Sequence, residues 1–194
     1  MKKLVFLSSI VLQFLITTAQ TESEIEKYSN EVDRKIDSGT LHQNQWVTNK
    51  NGSDWFDPGS SYYEVVTDFW YDGTGFLNDE TGIPEFQLVK ISSMQKSILY
   101  NRKEEYLFQN GHLNYFYLEM NVDGAPTKLH YYINSKGNVI KETILVDDKK
   151  IDKNDSSLED YKKAWIISPE KMVLKAKKYQ KLFFDSILME QLEE

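Results

Sequence analysis

Residues 104–120 read EEYLFQNGHLNYFYLEM, with five Phe or Tyr residues and three Leu around one Asn-Gly pair. How this stretch is read decides the fold. Two alternating runs flank Asn110-Gly111, and a two-residue turn of the hand that suits twisted strands needs positive φ at both central positions, which Asn and Gly tolerate. The stretch is therefore a β-hairpin. A two-residue turn sets Gln109 opposite His112, Phe108 opposite Leu113 and Tyr106 opposite Tyr115. Strand side chains alternate between faces. One face then carries Tyr106, Phe108, Leu113, Tyr115 and Tyr117; the other carries Glu105, Leu107, Gln109, His112, Asn114, Phe116 and Leu118. The first set is almost wholly apolar. It is expected to be core and not a binding platform, since burying each aromatic is worth about 1.5–3 kcal/mol, and five such side chains left in water invite aggregation.

Downstream, KLHYYINSKGNVIKETILV reads as a second hairpin, with Ser135-Lys136-Gly137 as a three-residue loop that places Gly in the left-handed position. That register sets Ile133 opposite Val139, Tyr132 opposite Ile140 and His130 opposite Glu142. Asp123-Gly124 turns the chain between the two hairpins. Upstream, YYEVVTDFWYD alternates as a strand, with Tyr63, Val65, Phe69 and Tyr71 on one side. DGTGFLNDETGIP reads as a long loop, and EFQLVKIS and KSILYNR as two further strands. Residues 40–61 look irregular, and DDKKIDKNDSS reads as a charged, solvated linker.

Helices are expected at both ends. In TESEIEKYSNEVDRKIDSG, Ile25, Tyr28, Val32 and Ile36 recur at three- and four-residue steps, and Gly39 is a suitable stop. Ser156 and Glu159 form a capping-box pair for a short helix. Ser168-Pro169 opens another. Val173, Ala176, Phe183 and Ile187 form its apolar stripe, while Lys171, Lys175, Lys178 and Lys181 stay wet. Helix, strands, then helices is the α+β order. The expected fold is an antiparallel meander sheet with the N-terminal helix and the C-terminal helices packed on one face.

Residues 1–19 have the layout of a secretory signal peptide: Lys2 and Lys3, then LVFLSSIVLQFLITTA, with the small residues Thr17 and Ala19 before the expected cut. The apolar run is shorter than the roughly 20 residues of a spanning helix. Residues 20–194 are then a single exported α+β domain, with no membrane anchor after cleavage. Removing Lys2 and Lys3 takes the formal charge from -7 to -9. Nucleic-acid binding depends on Lys and Arg neutralising phosphates, so an acidic chain points away from it. The chain has no cysteine, which excludes disulfides, thiolate catalysis and thiolate-bound metal.

The chain carries no Walker loop, no G-x-G-x-x-G after a strand, no G-x-S-x-G elbow and no H-E-x-x-H helix. Its three histidines are His42, His112 and His130; the last reads as a cross-strand partner of Glu142 on a solvated face. No catalytic residue, metal ligand or cofactor site is assigned. The least ordinary segment is NKNGSDWFDPGS, where Trp55 and Phe56 stand between Asp54 and Asp57 in a turn-rich loop. Loops on rigid scaffolds often carry function. Aromatics beside carboxylates suit a sugar ring, so Asp54, Trp55, Phe56 and Asp57 are the candidate ligand-binding residues.

The runs EEYLFQNGHLNYFY and KLHYYINSKGNVIK, with a leader ending in Thr-Ala followed by Gln, resemble small exported β-hairpin-rich proteins of unknown function of the Bacteroidetes type. The resemblance covers about residues 100–145 and the leader. It rests on Y-x-F-x-N-G-x-L and Y-Y-x-x-x-x-G-x-V-I, and it implies no activity. The expectation is an exported, non-enzymatic binding or interaction protein, periplasmic or extracellular, with a protein or carbohydrate ligand. One alternative is a small hydrolase that uses two carboxylates on polysaccharide or cell-wall fragments. Another is an inhibitor or immunity protein for an exported partner, whose basic surface would suit this acidic one.

Overall fold

The computed structural model describes residues 21–49, 63–77, 84–97, 101–122, 125–152, 155 and 167–191. Helix α1 (Glu22–Asp37) precedes eight strands and helix α2 (Pro169–Gln191). The strands are β1 (His42–Thr48), β2 (Tyr63–Leu77), β3 (Pro84–Ser97), β4 (Asn101–Gln109), β5 (His112–Val122), β6 (Ala125–Ile133), β7 (Val139–Val146) and β8 (Lys149–Ile151). Each pairs antiparallel with its chain neighbours, in the order β1 to β8. The fold is thus an α+β meander. Helix α1 opens on a capping box. The Thr21 hydroxyl accepts from Glu24 N, while the Glu24 carboxylate accepts from Thr21 N at 2.8 Å. Gly39 follows its end in the left-handed region (φ 69°), as a helix stop requires.

The Asn-Gly turn is present, with Asn110 at φ 52° and Gly111 at φ 77°. Gln109 faces His112 and Phe108 faces Leu113, as expected. One step later the register slips, so that Leu107 faces Tyr115 and Tyr106 faces Phe116. The extra residue is Asn114, whose amide donates to Gln109 Oε1 at 3.0 Å. A one-residue insertion moves every following side chain to the other face. Tyr115 and Tyr117 therefore leave the face they were expected to share with Tyr106, and Phe116 and Leu118 take their places. The second hairpin behaves alike. Gly137 is left-handed (φ 81°) and Ile133 faces Val139, but Ile140 is then the extra residue and Tyr132 faces Lys141. His130 consequently faces Thr143, and Glu142 faces Tyr131 on the opposite side of the sheet. The expected His130–Glu142 pair does not form.

These slips give the sheet two apolar faces, and each takes one helix. The row Lys90–Leu107–Tyr115–Tyr132–Lys141 meets α1. Val32 packs with Val89 and Leu107, Asp33 pairs with Lys90 Nζ at 2.8 Å, Tyr132 donates to Glu26, and Glu22 pairs with Lys141. The row Ile91–Tyr106–Phe116–Tyr131 meets α2. Phe183 lies 5.6 Å from Phe69 and from Phe86, and Tyr179 lies 5.6 Å from Tyr106, between ring centroids. Neighbouring residues of a strand point to opposite faces, so the two helices cover opposite faces. The expectation of both on one face is corrected by the register slips, which divide the aromatics that a single face was expected to hold.

Other boundaries move for identifiable reasons. Strand β1 lies inside the stretch expected to be irregular; it is polar, and only Trp46 packs against the main core. Strand β2 runs on to Leu77 through the expected loop. A Cβ at Gly73 would stand 2.1 Å from the Glu85 carbonyl oxygen, so this crossing needs glycine. Residues 84–97 form one strand, and the expected strand at KSILYNR straddles the β3–β4 connection. The expected linker contains β8, entered through Asp147 (φ 50°) and Asp148 (φ 59°). Helix α2 starts at Pro169 with the Ser168 hydroxyl accepting from Lys171 N. Lys175, expected to stay wet, is 38% exposed and also reaches the buried Glu104 at 2.6 Å. The Ser156–Glu159 capping box lies outside the described residues.

Phe108 is 1% exposed inside the α2-side core, whereas Ile140, on its bulge, is 45% exposed. Phe108→Ala should cost about 3–5 kcal/mol in urea unfolding, and Ile140→Ala less than about 1 kcal/mol. Equal losses would contradict this placement.

Candidate functional site

Helix α1 has 16 residues, about 24 Å at 1.5 Å per residue. Its contacts fall on the row Lys90–Leu107–Tyr115–Tyr132 and leave the next rows of the same face partly exposed. The first of these rows runs Asp68–Ser92–Glu105–Tyr117–His130–Thr143, and the second Val66–Met94–Lys103–Glu119–Lys128–Leu145. The partly exposed surface therefore sets Tyr117 and His130 beside Glu105 and the charged row Lys103–Glu119–Lys128.

At the centre, the Tyr115 hydroxyl and His130 Nδ1 are 2.7 Å apart. Burial, with Tyr132 and Glu105 nearby, pushes the Tyr115 phenol well above its ordinary range. Burial, with Lys128 nearby, pushes His130 down. Both shifts favour a protonated phenol beside a neutral imidazole, and the bond runs from the phenol to Nδ1 or from Nδ1–H to the phenol oxygen according to the ring's tautomer. The Tyr117 ring lies 5.0 Å from the His130 ring, and Lys103 Nζ stands 5.8 Å over the Tyr117 ring. The Tyr117 hydroxyl donates to Glu119 Oε2 at 2.9 Å.

The rim consists of paired charges. Glu105 accepts from Lys90 at 3.0 Å and from Lys103 at 2.7 Å. Burial alone would raise its carboxyl, but Lys90 and Lys103 outweigh burial and hold it below the ordinary carboxylate range. Lys128 pairs with Asp148 in the β7–β8 turn at 2.6 Å. Toward the end of the sheet the surface dips into a hollow of about 360 Å³, lined by residues that include Met94, Lys96, Lys103, Glu119 and Pro126. Among the described residues, the carboxylates that depart from their ordinary range, Glu24, Glu104, Glu105 and Glu170, are all held below it. They are set to accept hydrogen bonds; a general acid at neutral pH needs the opposite shift. The surface can stack, donate and accept, as a recognition surface does.

Asp54, Trp55, Phe56 and Asp57, the residues singled out from the sequence, lie outside the described residues. His42 stacks on Tyr71, with centroids 5.3 Å apart, and His112 is exposed beside the hairpin turn. Among the described residues, no three His, Asp or Glu side chains come together to hold a metal, and no helix is long and apolar enough to cross a membrane. Tyr117 and His130 were not recognised as a pair from sequence. The available signal was the i, i+2 spacing of Tyr115 and Tyr117 on one strand and of His130 and Tyr132 on the next. The slip at Asn114 had to be placed before that spacing could be read. Compared with known proteins, the chain matches no family model, no curated protein and no solved structure.

His130 is held neutral more firmly when folded than when unfolded. The stability this gives is complete above the ordinary histidine value of about 6.5 and declines as pH falls toward the lower folded value. Urea midpoints should therefore fall as pH drops from about 7.5 to 5.5, and His130→Gln should flatten that fall. The losses from Glu104 and Glu105 belong to a lower window, below their ordinary value of 4.5. An unchanged slope between pH 7.5 and 5.5 in His130→Gln would contradict the assignment.

Proposed function

We propose that this chain is an exported binding protein that meets a protein partner with the open part of its α1-side sheet face. The observation that carries this is that α1 leaves Tyr117 and His130 partly exposed, beside Glu105 in their own row and the charged row Lys103–Glu119–Lys128. A tyrosine-centred patch with a charged rim is the common make-up of protein interfaces, where a few central aromatics carry most of the binding energy. The two rows cross six strands, from β2 to β7, a width that suits another protein better than a single sugar ring. Export rests on the leader-like residues 1–19, and a carbohydrate ligand would rest mainly on the Trp55 loop.

The test uses the purified protein immobilised as bait against an envelope extract, with a glycan array in parallel. The wild type should capture a discrete protein, and Tyr117→Ala combined with His130→Ala should weaken that capture by at least about tenfold, the size of a hot-spot loss. The double variant should still melt cooperatively. Equal capture by both forms would refute the reading, as would binding confined to glycans.

A further inference from the structure

The sheet is open, and its two outer strands differ. Strand β8 has three residues, two of them Lys149 and Lys150, and follows the Asp147-Asp148 turn. Short, charged strands are a common protection of a sheet edge against a further strand. Strand β1 is built otherwise. Its seven residues, HQNQWVT, include no Lys, Arg, Asp, Glu or Pro. Its register with β2 runs unbroken from His42 opposite Tyr71 to Thr48 opposite Val65, with no bulge. Val47 on this strand is 41% exposed. Among the described residues β1 pairs with β2 alone, and the backbone donors and acceptors of its outer side have no strand partner among them.

We infer that β1 is a dimerisation edge that pairs antiparallel with β1 of a second copy, about a two-fold axis at Gln45. Charge selects the occupant. The chain carries a formal charge of -7 and repels its own copy over much of its surface, yet two β1 strands meet without any charged side chain facing another. The nearest anion, Asp68, already accepts from Gln43 Nε2 at 2.7 Å and Gln45 Nε2 at 2.8 Å. With the axis at Gln45, this residue faces its own mate, Gln43 faces Val47 and Asn44 faces Trp46 of the other copy. Closure selects the symmetry. An isologous β1–β1 pair stops at two copies, whereas β1 on β8 would be a heterologous contact that builds a ring or a filament, and β8 is the protected edge. This surface is separate from the Tyr117–His130 patch, and the inference stands or falls independently of it.

The chain has no cysteine, which gives a direct test. Light scattering coupled to gel filtration should report a dimer for the wild type at micromolar concentration. Gln45→Lys, which sets like charges against each other on the axis, should give a folded monomer. Gln45→Cys should form a disulfide dimer under mild oxidation, because directly opposed Cβ atoms lie about 4.5–5.5 Å apart. Gln43→Cys should not, because its mate lies four residues along the strand, about 14 Å away and beyond disulfide reach. A wild-type monomer would overturn the inference. So would assemblies that keep growing with concentration, or cross-linking of Gln43→Cys as fast as that of Gln45→Cys. If Gln45→Lys fails to fold, the two cysteine variants decide alone.

Discussion

The structure depends on one inserted residue. Asn114 adds a residue to β5 just after a two-residue turn and thereby assigns the aromatics of the central strands to two faces. Without it, Tyr106, Phe108, Tyr115 and Tyr117 would share one side, and the other would hold Phe116 and Leu118 among polar residues. With it, Phe116 and Leu118 join Tyr106 and Phe108 under α2, and Tyr115 joins Leu107 under α1. The insertion has its own support. Asn114 bonds to Gln109, and the Phe108 carbonyl, beside the interrupted ladder, accepts from the Tyr28 hydroxyl of α1 at 2.9 Å. One helix therefore rests on the irregularity that made a face for it.

Each helix is also held to its face by a buried charge of opposite sign. On the α1 side, Lys90 is buried between Asp33 and Glu105. Burial would lower its amine, but the two carboxylates outweigh burial and hold it above its ordinary range. On the α2 side, Glu104 is 2% exposed and accepts from Arg102, Lys175 and the Tyr106 hydroxyl. Burial would raise its carboxyl, but Lys175 and Arg102 prevail and hold it down. Buried ion pairs add little net stability compared with a well-packed apolar substitute, yet removing one partner is costly. Their effect here is positional: Asp33 fixes where α1 crosses β3, and Lys175 fixes where α2 crosses β4.

Features with a local cause were legible in the sequence. The Asn110-Gly111 turn, the left-handed Gly137, the stop at Gly39 and the start at Ser168-Pro169 all follow from single-residue backbone preferences. The helix-strand-helix order followed from periodicity. The register slips were not legible, because an insertion such as Asn114 or Ile140 changes no local preference and is decided by packing on two faces at once. Strand β1 was missed because an edge strand with one inward aromatic lacks the alternation that marks half-buried strands. β8 was missed because its charges, which protect an edge, also read as a linker. The candidate surface depends on the slips: in an unslipped register His130 faces Glu142 and Tyr117 lies on the core face with Tyr106.

The division of the aromatics between two faces is the central claim, and nuclear Overhauser contacts across the β4–β5 hairpin test it most directly. With Phe and Tyr ring protons labelled, Tyr106 should show strong contacts to Phe116, whose ring centroid lies 5.0 Å away, and to Tyr179, at 5.6 Å. Tyr115 should instead show contacts to Tyr132 at 5.2 Å and His130 at 6.1 Å. A strong Tyr106–Tyr115 contact with none between Tyr106 and Phe116 would mean an unslipped hairpin with its aromatics on one face, and would contradict the account.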